Sequence, residues 1–394
     1  MKERKSQTDF PKPLQQWFEI VQENLPSLTR PQARVLAMWS FSLVMTKRIG
    51  LTSNANFLAS YLEQDENTLR QRLREWYWNA EQKRGAKRQE LEVTRVFPDL
   101  LGWVLRLWPP DHKWLVLAMD ATTHKDIFVV LAIHVVYRCC AIPVAWKILP
   151  GNQPGSWKPH WQALFDYLQG VVPADWCVIV LADRGLYAPW LFQTIQKSGW
   201  HPFLRINVDG KFKIGEGDWQ DLQAFLPQPG QRSAQVTCFK KNSVQATLLA
   251  RWTQGYEEPW YILTDMSEKE AEPGWYSFRT WIESGFRDLK HDGWQWQYTR
   301  ITDPKRAERI WLVMAVAMLW ALNEGGRMED ASFQGKEPSN EKHQDASQPW
   351  SRTFIRTISC FLRGVNAILV KLLKGQDISL TRFAPGPRLS AVPP

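Results

Sequence analysis

The sequence predicts a mixed α/β fold, on three observations. Apolar residues follow a helical period up to about residue 110, short strand-like runs dominate from Trp114 to Ile206, and helical spacing returns at Tyr276. From Val208 to Asp265 lies a further β-rich interval, so strands and helices are neither wholly alternating nor wholly separated.

A chain of 394 residues with 44% hydrophobic content can bury a large core, which excludes a disordered chain and suggests two or three domains. The net charge of +9, with 23 Trp interleaved among the basic residues, points to a polyanionic partner, either nucleic acid or an anionic membrane. Cys139, Cys140, Cys177, Cys238 and Cys360 contain no CxxC pair and no His at metal-finger spacing, which argues against a zinc site or a disulfide framework. Met1–Gln7 is charged and no apolar run follows it, and the longest apolar run, Ile310 to Leu322, is too short to span a bilayer. A soluble cytoplasmic protein is expected.

In the N-terminal part, Gln32 to Met45 reads as a buried helix, carrying Val35, Leu36, Trp39, Phe41 and Val44. Asn54–Glu63 and Thr68–Trp78 read as two short helices around a Gln64–Asn67 turn, with Asn67 or Asp65 capping the second. That pair suits a helix-turn-helix. Arg70, Arg72 and Arg74 on the second helix, and Lys83, Arg84, Lys87 and Arg88 after it, could neutralise DNA phosphates or reach base edges. A small helical bundle with a solvated basic face explains the same pattern.

The central segment starts with Leu115–Met119, an apolar run ending in Asp120, with Ala121–Asp126 as a turn. Ile127–Tyr137 and Ala141–Leu149 read as two more strands. A helix over Trp157–Val171 leads to the continuous apolar run Cys177–Ala182, which ends in Asp183. Ala188–Lys197 is a helix and His201–Ile206 a strand, so the order is βββαβαβ. Two apolar runs thus each end in Asp; if they are parallel neighbours, both carboxylates meet at one sheet edge, where α/β proteins gather ligands. An Asp after a strand also commonly opens a turn or caps a helix.

Tyr276 to Lys290 contains no Pro and reads as one helix on which Tyr276, Arg279, Glu283 and Lys290 share a stripe. As a surface ion-pair row this would be worth only about 0.3–0.5 kcal/mol per pair. Taken with Asp120-Ala121-Thr122 and Asp183-Arg184-Gly185, however, the pattern Tyr276-x2-Arg279-x3-Glu283-x6-Lys290 resembles the DDE transposases of bacterial insertion sequences. The match is to their IS-four branch, marked by the Tyr-Arg-Glu-Lys (YREK) signature, and spans about Trp114 to Asn323.

The resemblance implies a ribonuclease H-like catalytic core interrupted by a β-rich insertion, with a helical N-terminal DNA-binding region. On that reading residues 1–110 bind DNA, 111–207 and 269–326 form the two parts of the core, and 208–268 are the insertion. Within the insertion, Ala234–Phe239, Val244–Trp252 and Trp260–Thr264 are its β segments. Asp303-Pro304 opens a helix running to Asn323. Glu324 to Gln348 is Gly-, Ser- and charge-rich and reads as a linker, so residues 327–352 are the linker segment, and 353–394 hold an amphipathic helix, Phe354–Lys374, and a tail.

Asp120, Asp183 and Glu283 would then be the catalytic and metal-binding residues, holding two Mg²⁺ ions, with Mn²⁺ as a substitute. Hard divalent ions take carboxylate oxygens, and two of them can stabilise the attacking and leaving oxygens of an in-line displacement at phosphorus. Asp120 would bridge the ions. Tyr276, Arg279 and Lys290 would hold phosphates of double-stranded DNA at the element ends and target, in a synaptic homodimer. Trp252, Trp260 and Trp275 are the candidates for stacking a flipped base in a hairpin intermediate. Two other readings stand beside this one: a non-catalytic DNA-binding protein derived from a transposase, and a carbohydrate hydrolase with paired carboxylates and Trp platforms.

Overall fold

The computed structural model describes residues 10–83, 89–152, 155–333 and 358–383. Five helices come first: α1 (Lys12–Asn24), α2 (Arg30–Thr46), α3 (Leu51–Leu62), α4 (Glu66–Tyr77) and α5 (Phe97–Leu107). Sequence periodicity places α2, α3 and α4 to within a few residues of these bounds. Asp65 caps α4 by accepting the Thr68 N–H at 2.8 Å, settling the choice between Asp65 and Asn67. The capping box of α2, Thr29 with Gln32, starts that helix at Arg30. Helix α2 is apolar nearly all round because neighbours surround it: α1, α3, α4 and a long helix near the C-terminus all pack on it.

Next come β1 (Trp114–His124), β2 (Phe128–Tyr137), β3 (Cys140–Pro150), α6 (Lys158–Leu168), β4 (Cys177–Ala182), α7 (Pro189–Lys197) and β5 (His201–Arg205). The order βββαβαβ is as read from sequence. Strands β1, β2 and β3 are antiparallel neighbours, whereas β1, β4 and β5 run parallel. Every residue of β2 is buried, so both faces of the sheet are covered there.

One boundary differs with consequence. The first strand does not stop before Asp120 but continues to His124, and Asp120 pairs with Ala132 in mid-ladder. Polar Asp120, Thr122 and Thr123 mask this continuation, since they read as a turn when only apolar alternation is followed.

The β-rich interval contributes β6 (Lys211–Lys213), β7 (Gln220–Asp221), β8 (Gly230–Cys238), β9 (Val244–Trp252) and β10 (Trp260–Thr264). These strands extend the first sheet, because β10 pairs antiparallel with β5; the whole sheet has ten strands in the order β3-β2-β1-β4-β5-β10-β9-β8-β6-β7.

After β10 the chain makes a 3₁₀ segment, Pro273–Thr280, before α8 (Trp281–Lys290). The single helix expected from Tyr276 to Lys290 is therefore two helices of different pitch. Ser277 Oγ donates to the Gly274 carbonyl and Thr280 Oγ1 to the Ser277 carbonyl, both three residues back, the spacing that a 3₁₀ turn presents. Gly285 lets α8 lie close to the sheet: a Cβ there would sit 3.0 Å from Ala141 Cβ and 3.1 Å from its carbonyl oxygen.

Helix α9 (Pro304–Phe333) is the core's long axis, with every residue from Ala307 to Gly326 buried. It overruns the expected linker, whose first residues, from 327 to 333, are helical. The Gly and charged residues that suggested a linker serve packing instead. A Cβ on Gly325 would meet the Cys360 carbonyl oxygen at 2.0 Å, so α10 (Cys360–Leu373) crosses α9 at a glycine contact. Glu324, 1% exposed, pairs there with Lys371 of α10 and with Arg327. The remainder of the linker, the start of the Phe354–Lys374 helix and the tail from residue 384 lie outside the described residues. Among the described residues, no helix is long and apolar enough to cross a membrane.

Candidate active site

The register of the parallel pair fixes the first two carboxylates. Met119 of β1 stands opposite Ala182 of β4, so Asp120 and Asp183, one residue further on each strand, arrive side by side. Asp183 lies just past the end of β4, and its Oδ1 accepts the Arg184 N–H at 2.7 Å, fixing the side chain against the turn. Asp120 is held in the same way by the Ala121 N–H at 2.8 Å.

Helix α8 carries Glu283 in its first turn, and Arg279 precedes that turn. One guanidinium then joins all three acids. Arg279 Nη2 is 2.7 Å from Asp120 Oδ2 and 3.5 Å from Asp183 Oδ2, while Nη1 pairs with Glu283 Oε1. Three carboxylates from three separate elements thus surround one cation. Tyr276 adds a fourth contact, donating its hydroxyl to Asp183 Oδ1 at 3.2 Å.

Charge and burial explain the electrostatics. Burial raises the Asp120 carboxyl above its ordinary range, against the pull of Arg279, and the neighbouring Asp183 and Glu283 charges push the same way as burial. Burial works against the charge on Arg279, yet Asp120, Asp183 and Glu283 outweigh it and its pKa is raised. Tyr276 is held neutral by burial and by the Asp183 charge.

Lys290 closes the other end of α8. Its Nζ donates to Thr122 Oγ1 at 2.6 Å and to the Thr123 carbonyl at 2.8 Å, which ties the helix to the continuation of β1 beyond Asp120. Burial lowers its pKa. Of the predicted helix residues, Arg279 contacts the three acids directly and Tyr276 reaches Asp183, whereas Lys290 sits on the strand beside them.

Two residues not singled out in the sequence join the site. Arg205, at the end of β5, lies 4.0 Å from Asp183 Oδ1 and 3.8 Å from Glu258 Oε2, and Arg184 pairs with the same Glu258 at 2.9 Å. The signal that could have found Arg205 is positional: it ends the strand that neighbours β4, at the edge where Asp183 stands.

The three Trp candidates separate. Trp260 packs edge-on to Tyr276 with ring centroids 5.2 Å apart, which puts it beside the acids. Trp275 is 4% exposed and packs on Phe203, while Trp252 donates its indole N–H to the Tyr256 carbonyl at 2.8 Å. Among the basic residues of the N-terminal part, Arg72 is exposed, Arg74 lies 5.6 Å from the Trp78 ring centroid, and Lys83 donates to the Gln89 carbonyl. Arg70 faces a separate cleft on the same helix; Arg84, Lys87 and Arg88 lie outside the described residues.

The donor set fits a hard divalent cation: three carboxylates whose charge one guanidinium shares. With Arg279 among them they stand apart, and no three Asp, Glu, His or Cys side chains among the described residues are grouped closely enough to hold an ion.

No family model matches the chain, and no curated protein matches it in sequence. Among solved structures, one described as a cryo-EM structure of the piggyBac transposase synaptic complex with hairpin DNA covers 90% of this chain and 90% of its own, at 10% identity and a TM-score of 0.34. A likeness of that size bears on neither fold nor function.

Proposed function

We propose that this chain is a metal-dependent DNA transposase with a ribonuclease H-like core, cutting and joining the ends of an insertion sequence. The observation that carries the reading is the convergence of Asp120, Asp183 and Glu283 on Arg279. A strand order of three antiparallel strands followed by two parallel ones, with one aspartate on β1, another just past the end of its parallel neighbour β4, and a glutamate on a later helix, supports it.

Asp120, Asp183 and Glu283 would hold Mg²⁺ or Mn²⁺. Bound there, such ions would supply charge stabilisation for the entering and departing oxygens of a phosphodiester. The chain's own residues do the rest. Arg279, released from the acids, would turn its planar fork to a phosphate of the DNA end, for which a guanidinium is suited. Tyr276 keeps Asp183 oriented, and Lys290, through Thr122 and Thr123, keeps α8 docked on β1. Trp260, next to Tyr276, would stack on an extruded base. Two copies of the chain would act together, one at each element end.

The test is incubation of purified protein with Mg²⁺ and duplex DNA carrying the element's terminal repeats. Nicking at the repeat boundary is expected, with a loss of about a hundredfold to a thousandfold for Asp120→Asn, Asp183→Asn and Glu283→Gln, the scale expected when a main electrostatic contributor is removed. Equal cleavage by all three variants and wild type would overturn the reading. Sequence-specific binding with no metal-dependent cleavage would favour a non-catalytic DNA-binding protein.

A further inference from the structure

A second cationic feature lies away from the carboxylates, between the N-terminal helices and the chain that follows α8. A partly open cleft of about 900 Å³ is lined by Arg48, Arg70, Arg300 and Arg306, with no Asp or Glu among its described lining residues. A volume of that order encloses a whole small ligand rather than a bare ion. The cleft is stitched across the two parts of the chain, since the Ile49 N–H donates to the Trp294 carbonyl at 2.9 Å.

The start of α3 lines the cleft. Gly50 caps that helix without any side-chain hydrogen bond, so the first-turn N–H groups of Leu51, Thr52 and Ser53 keep their free positive end. The Thr52 and Ser53 hydroxyls stand at the same place in the helix. Free N–H groups, hydroxyls and guanidinium groups are the donors that take phosphate oxygens. Within the wall, Arg70 Nε is buried with no hydrogen-bond partner, and Trp39, 1% exposed, has an unpartnered indole Nε1.

Aromatic side chains complete the lining. Tyr298 is 74% exposed at the cleft, and Tyr77 lies within the fields of Arg74, Arg306 and Arg70, which oppose the rise that burial imposes on its phenol. Arginines that track phosphates, next to an exposed ring that stacks on any base, are the composition of a site for unpaired nucleic acid.

We propose that this cleft binds the phosphates of an unpaired DNA strand, with Arg48, Arg70, Arg300 and the α3 N-terminus on the backbone and Tyr298 stacked on a base. The assignment rests on the DNA-transposase reading and adds a strand-holding site outside the carboxylate centre. Unlike that centre, the cleft needs no metal.

Fluorescence anisotropy with full-length protein in EDTA tests this, using a labelled single-stranded oligonucleotide and the matching duplex across a salt series. The expected result for Arg70→Gln/Arg300→Gln is an affinity for the single strand at least tenfold lower, and a log–log salt slope shallower by about 1–2, about one for each phosphate that is no longer neutralised. Tyr298→Ala, a surface change, should weaken single-strand binding several-fold and leave the duplex unaffected. If the double variant binds the single strand as tightly as wild type, with the same salt slope and an unchanged circular dichroism spectrum, the proposal is wrong. Mononucleotide and inorganic phosphate form the competing arms. Arginine-dependent binding of mononucleotide with arginine-independent binding of the oligonucleotide would assign the cleft to a free nucleotide and overturn it. Because binding is read without metal, arginine-dependent strand binding in a protein that never cleaves DNA would refute the transposase reading alone, and cleavage with arginine-independent binding would refute this one alone.

Discussion

Arg279 is the residue on which the site depends. Its guanidinium shares charge with Asp120, Asp183 and Glu283, so replacing it leaves three acids facing one another. Arg279→Gln is expected to lower the melting temperature in EDTA by about 1–2 °C, on the order of 1 kcal/mol lost. Mg²⁺ should then raise the variant's melting temperature more than it raises that of wild type, because the ion no longer competes with a resident cation. Differential scanning fluorimetry reads both, and an equal Mg²⁺ shift in the two proteins would show that Arg279 does not stand in an ion's place. Asp288, on the buried side of the same helix, is a separate case. Burial pushes its carboxyl up to about 7, with the Arg287 charge opposing. The folded value exceeds an unfolded value of about 3.9, so the stability it permits is complete below that pH and is lost as pH rises through about 7. Between pH 4 and 8 wild type should lose on the order of 2–4 kcal/mol more than Asp288→Asn, measured by urea unfolding. Identical pH profiles would refute that assignment.

Elements show how much can be read beforehand. The two aspartates are visible because each ends an apolar run, and the glutamate because its neighbours recur at fixed spacing. The apolar run of β4 needs no tertiary information, being buried on both faces. What the sequence hides is set by contacts between distant segments. The 3₁₀ segment Pro273–Thr280 depends on hydroxyl-to-carbonyl bonds that helical periodicity does not register. Arg205 reaches Asp183, and Glu258 reaches Arg205, only because β5 and the strands of the insertion join one sheet. Composition misleads most at Glu324–Gly326, where Gly denotes a close helix crossing and not a flexible tether. A Cβ on Gly364 of α10 would lie 1.7 Å from the Ala321 carbonyl oxygen. Gly364→Ala must therefore push α10 off α9, and a destabilisation of about 1–3 kcal/mol is expected in chemical denaturation, as for overpacked cores. An unchanged denaturation midpoint would mean that α10 is not docked as described.

At the scale of the molecule, one ten-stranded sheet carries both the acids and the insertion. The insertion does not stand apart: through β10 it continues the edge at β5, and the chain leaving β10 returns directly to Tyr276 and α8. The same architecture that lengthens the sheet thus delivers Glu283 to Asp120 and Asp183. Guanidinium groups stand at two places, one among the acids and several in the arginine cleft at the α3 N-terminus. Their separation divides the proposed work: metal-assisted chemistry at one, strand holding at the other. The most direct measurement of the central claim is Mn²⁺ binding by the intact protein, followed by calorimetry and electron paramagnetic resonance. Two ions per chain are predicted for wild type, with at least one lost in each of Asp120→Asn, Asp183→Asn and Glu283→Gln; Mn²⁺ binding unaltered in all three variants would contradict it.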